Sequence, residues 1–77
     1  MSSIHDPRYR KAIQKLIDLR ESKKITQVQL ATSLKKPQSY IAKVENCERR
    51  LDFIELYDWL KVLDENFNSL EKIFEEV

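Results

Sequence analysis

Two short amphipathic segments stand almost back to back in the middle of this chain: TQVQLATSL from Thr26 and a second that begins around Pro37 and runs to Glu45, with only about three residues, Lys35, Lys36 and the boundary residue Pro37, between them. Each is about two helical turns long, and so brief a connection does not let them lie side by side as an antiparallel hairpin of any length. They are expected to cross steeply, as in a helix-turn-helix, with the second segment projecting from the surface. On that second segment Ile41 and Val44 point inward, while Gln38, Ser39, Tyr40 and Lys43 can face outward. A merely solvated helix would more often carry Glu/Lys pairs four residues apart. Here no carboxylate appears until Glu45.

Local start and stop signals place the other elements. Asp6-Pro7 is an N-cap followed by proline at the first helical position, and Tyr9, Ile13, Leu16, Ile17 and Arg20 then recur at helical spacing. Thr26 with Gln29, Asp52 with Glu55, and Asn68 with Glu71 each read as a capping box. The spacing predicts five helices, at about 7–22, 26–34, 37–45, 52–63 and 68–76, and no strand: an all-α domain spanning residues 1–77. On the fourth helix, Phe53, Leu56, Tyr57, Leu60 and Leu63 are expected to form the inward face, widened by Ile54, Trp59 and Val62.

The chain has no glycine at all. That favours helix interiors, and it leaves tight turns to residues that bear a Cβ. Charge is segregated: residues 1–50 carry twelve Lys/Arg against five Asp/Glu, and residues 51–77 carry two against eight. A basic half suits a polyanionic partner, which the acidic half would turn away from.

The linked elements Leu19-Arg20, Thr26-Gln27, Leu30-Ala31, Leu34, Ile41, Val44-Glu45-Asn46 and Arg49-Arg50 resemble the lambda-repressor-like helix-turn-helix family of Cro and phage repressors. The resemblance covers roughly Ile13 to Leu63. It implies a double-stranded DNA-binding transcriptional regulator of bacterial or phage type. By that resemblance Gln38, Ser39, Tyr40 and Lys43 reach base edges or the groove, and Gln27, Lys36, Asn46, Arg49 and Arg50 hold phosphates. Arg20 and Glu45 match a structural salt bridge. Gln can pair with adenine and Lys can donate to guanine, so the residue types suit the role. Tyr40 would serve equally well as a core aromatic.

Two departures from the family pattern stand where glycine is usual, Lys35 after Leu34 and Cys47 after Asn46. Simple drift explains Cys47; an oxidation-sensitive thiol beside Arg49 and Arg50 is the sharper alternative. One recognition helix reads few base pairs, so a homodimer on a palindromic operator is expected, formed through Phe67, Leu70, Ile73, Phe74 and Val77. An antitoxin, a restriction–modification controller and a protein-interaction module of the same fold remain alternatives.

Other classes fit poorly. Without glycine there is no phosphate-cradling loop, the single histidine, His5, reads as a surface residue ahead of a helix cap, and no Cys/His cluster offers a metal site. No cofactor, metal, small-molecule ligand or catalytic residue is expected. No secretory h-region or bilayer-length apolar run is present, so a cytoplasmic location without membrane contact is expected.

Overall fold

The computed structural model describes the backbone of residues 5–75 and the side chains of residues 5–71. Its five helices are α1 (Pro7–Ser22), α2 (Gln27–Leu34), α3 (Gln38–Glu45), α4 (Phe53–Val62) and α5 (Asn68–Glu75). No strand occurs among the described residues. The all-α expectation holds, with boundaries shifted inward by a residue where Thr26, Pro37 and Asp52 act as N-caps outside their helices.

Local chemistry accounts for the helix starts. Asp6 accepts the Arg8 N–H at 2.8 Å. Thr26 and Gln29 form a reciprocal capping box, as do Asp52 and Glu55. The expected Asn68–Glu71 box is replaced by a different arrangement, in which Asn66 Oδ1 accepts the Asn68 N–H at 2.9 Å. Asn66 lies two residues upstream and captures the same free donor, so α5 begins at Asn68 itself.

The helix ends show how a chain without glycine turns corners. Lys24, Lys35, Cys47 and Asp64 all adopt the left-handed conformation, with φ of 58–59°. After α2, Lys35 N–H bonds Thr32 O and Lys36 N–H bonds Ala31 O, the paired closure of a Schellman motif, and the same pattern recurs after α1, α3 and α4. A Cβ in this conformation costs about 1–2 kcal/mol. Lys35→Gly is therefore expected to raise unfolding stability by about 0.5–1 kcal/mol in urea titration, after glycine's greater unfolded-state entropy is deducted.

The core gathers one stripe from each helix: Ile13 and Leu16 from α1, Leu30 and Ala31 from α2, Ile41 and Val44 from α3, Trp59 and Leu60 from α4, with Leu63 at its end, and Leu70 from α5. α2 packs on α3 and α4, and α1 packs on α3 and α5. Tyr9 ties α1 to the α3–α4 loop by accepting the Leu51 N–H at 3.0 Å, and burial pushes its phenol upward in pKa. Cys47 is buried in this core, which accounts for it by packing.

Two expectations about apolar faces are corrected. Phe53, Ile54 and Tyr57 are exposed, because α4 buries the stripe containing Trp59, Leu60 and Leu63 and its opposite edge meets only the ring of Phe67, which stacks on Phe53 and lies near Tyr57. Leu70, expected at a dimer interface, is only 3% exposed and belongs to the core. Val77 and the side chains of Ile73 and Phe74 lie outside the described residues. Among the described residues, no helix is long and apolar enough to cross a membrane.

Candidate nucleic-acid interface

The turn between α2 and α3 carries exposed Lys35 and Lys36, and α3 carries exposed Lys43. α3 is anchored from below by Ile41 and Val44, both fully buried, so Gln38, Ser39 and Lys43 are left exposed on the opposite side. The helix begins after Pro37, which supplies no side-chain cap. The Tyr40 N–H bonds Pro37 O at 3.0 Å, and the two backbone N–H groups before it have no side-chain cap, an arrangement that suits an anion.

A polar chain orients the start of this helix. Arg20 donates from Nε to Glu45 Oε2 at 2.7 Å and from Nη2 to Oε1 at 3.1 Å, and its Nη1 reaches Ile25 O at 2.7 Å. Glu45 Oε1 also accepts from Gln27 Nε2 at 2.8 Å. Gln27 Oε1 in turn accepts from Gln38 Nε2 at 3.4 Å. The sequence separates Arg20, Gln27, Gln38 and Glu45, and the fold makes them one relay from the core to the exposed face.

A second network was not foreseen in the sequence. Tyr40 is turned inward and half-buried: its hydroxyl accepts from Trp59 Nε1 at 3.2 Å and donates to Glu55 Oε2 at 3.1 Å. This corrects the outward placement of Tyr40, and the physical reason is the buried indole N–H of Trp59, which requires an acceptor. Burial pushes the Tyr40 phenol upward in pKa. The guanidinium of Arg49 lies 4.8 Å from the Tyr40 ring centroid, and the Lys36 ammonium lies 5.4 Å from it.

Glu55 is the hub of this second network. It accepts from Asp52 N at 3.0 Å and Arg49 Nη1 at 3.2 Å through Oε1, while Oε2 lies 3.0 Å from Arg49 Nη2. Partial burial opposes its charge, but Arg49, the Asp52 N–H and Tyr40 together hold the carboxyl below its usual range. Its capping role was visible in DFIE; its contacts with Tyr40 and Arg49 arise only once α3 is laid against α4.

Of the remaining expected contacts, Asn46 is the exposed C-cap of α3, and Arg49 and Arg50 are exposed in the loop that follows. The structure thus groups Gln27 with Gln38, and Lys36 with Tyr40 and Arg49.

Helix order, the packing of α2 on α3 across a three-residue turn and the exposed polar edge of α3 define a helix-turn-helix DNA-binding domain. The family model HTH_3, helix-turn-helix, matches residues 16–70, and the chain belongs to this Cro/C1-type, lambda-repressor-like family. It is a family of DNA-binding domains and not of enzymes. Among curated proteins, none matches the sequence.

Proposed function

We propose that the protein is a cytoplasmic, sequence-specific transcriptional regulator that binds a palindromic operator as a homodimer and represses by occupying it. The observation that carries this reading is the Gln27–Gln38 contact, fixed from behind by Glu45, at the N-terminus of α3. A glutamine whose amide is already oriented can offer its remaining donor and acceptor to adenine, and Ser39 and Lys43 stand exposed on the same helix. Gln27 would share a phosphate, with Lys36, Asn46 and Arg50 contributing further backbone contacts and salt-dependent affinity.

The test is selection of bound sites from a random duplex library. The expected result is a palindrome with half-site centres about 10 base pairs apart, matching two recognition helices one turn of DNA apart. Absence of any enriched motif overturns the reading.

The dimer requirement follows from the eight residues of α3, which span too few base pairs for useful selectivity alone. The surface that best suits a second copy is the aromatic strip uncovered on α4 and ahead of α5. Phe53 stacks on Phe67 with centroids 5.3 Å apart, and Tyr57 lies 6.5 Å from Phe67. Phe53 is 70% exposed, and a stacked apolar strip of this kind suits an isologous contact with itself. Phe53→Asp is expected to give a monomer in sedimentation velocity at concentrations where the parent is dimeric. Asp at the first position of α4 favours the helix, so loss of fold is not the expected cause. A variant that remains dimeric overturns this assignment.

A further inference from the structure

We infer that Glu55 is a positioning residue for DNA binding: it holds Arg49 in a phosphate-gripping pose before DNA arrives. The inference rests on the DNA-reading proposal above and adds to it a residue from α4, outside the helix-turn-helix.

Arg49 is a long loop side chain, and such a side chain ordinarily loses affinity to the entropy of being ordered on binding. Here it is ordered in advance. Its Nη1 donates to Glu55 Oε1 and to Arg50 O at 3.0 Å, its Nη2 pairs with Glu55 Oε2 at 3.0 Å, and its plane lies near the Tyr40 ring. Those bonds occupy three of the five guanidinium N–H groups, and the side chain is still 42% exposed. An arginine can bridge a carboxylate on one edge and a phosphate on another, whereas lysine cannot reproduce that fork.

Glu55 is fixed just as firmly. Asp52 N–H and the Tyr40 hydroxyl complete its shell, and Tyr40 is anchored by Trp59. The carboxylate is therefore committed to donors within the protein, and the loop carrying Arg49 is braced against α4.

Net charge and positioning make opposite predictions, which gives the test its sign. Glu55→Gln removes a negative charge near the DNA-facing loop, so electrostatics alone would make the variant bind more tightly. Loss of positioning makes it bind less tightly despite the extra positive charge. The glutamine retains an acceptor for Asp52 N–H, so α4 keeps its cap.

The experiment is fluorescence anisotropy with a labelled duplex carrying the selected site and a scrambled duplex of equal length, with thermal midpoints recorded for every variant. Glu55→Gln and Arg49→Ala are each expected to weaken binding to the selected site about three- to tenfold, and the double variant to bind no worse than Arg49→Ala alone. Arg49→Lys, a surface change that keeps the charge, is expected to lose most of what Arg49→Ala loses. Tighter binding by Glu55→Gln, additive losses in the double variant, or parental affinity in Arg49→Lys overturns the inference. Lys43→Ala is measured alongside: if it weakens binding while Glu55→Gln does not, only the positioning role fails, whereas parental affinity in both removes the DNA reading as well.

Discussion

Glu45→Ala is expected to lower unfolding stability by about 3–5 kcal/mol, because it strands a buried guanidinium instead of merely deleting an ion pair. The Glu45 and Arg20 side chains are 5% and 10% exposed, and they share two hydrogen bonds. Without Glu45, Arg20 retains the Ile25 carbonyl and a longer 3.8 Å approach to Glu21, whose own side chain is mostly in water. For a domain of 77 residues the whole stability is on the order of 4–12 kcal/mol, so this one change approaches the threshold of unfolding. Urea titration measures it directly. Joint replacement of Arg20 and Glu45 by Met and Leu is expected to recover much of the loss, since an apolar pair leaves no charge unpaired. Equal losses in the two proteins would show that the ion pair itself, and not the stranded charge, sets the cost.

The same substitution reaches the surface proposed to read DNA. Gln27 Nε2 would lose its acceptor on Glu45, and with it the support that aligns Gln27 against Gln38. On the proposed reading Arg20 and Glu45 would therefore connect stability with selectivity: they fasten α1 to the end of α3 and hold Gln27, which contacts Gln38 at its beginning. A variant that is folded in mild conditions should still bind its site less selectively.

What the sequence made legible was mostly local. Asp6-Pro7, Thr26 with Gln29 and Asp52 with Glu55 act through backbone donors within a turn of themselves, so their roles survive any tertiary arrangement. The Asn68–Glu71 box failed within the same local logic, because Asn66 takes the Asn68 N–H that the Glu71 side chain would have accepted, and nothing in the sequence ranks the two acceptors. The faces of α4 failed for a different reason. Apolar residues surround much of that helix, and periodicity cannot say which edge its neighbours will cover; Trp59 was buried and Phe53 left in water. Among the site residues, Arg20 and Glu45 were placed together by family resemblance, and the structure joins them. Tyr40 and Glu55 needed the packing of α3 on α4, since one buried indole N–H determines where the tyrosine hydroxyl goes.

Gln38→Ala/Lys43→Ala is expected to lower affinity for the selected site about 100-fold or more while leaving binding to a scrambled duplex within a fewfold of the parent. Each well-placed base contact contributes about 1–3 kcal/mol of discrimination, and these two side chains reach different positions along α3. Both are exposed, so their removal leaves the buried Ile41 and Val44 and the fold beneath them intact. The double variant removes one cation, so its salt dependence should fall by about one phosphate's share, far too little to account for the loss. Anisotropy at two salt concentrations separates the two effects. If affinity for selected and scrambled duplexes fell together, α3 would be contributing charge and not sequence, and selectivity would have to come from the shape of the DNA. A loss confined to the selected duplex would place the readout on the outer edge of α3, with the relay from Arg20 through Glu45 and Gln27 keeping Gln38 in register for it.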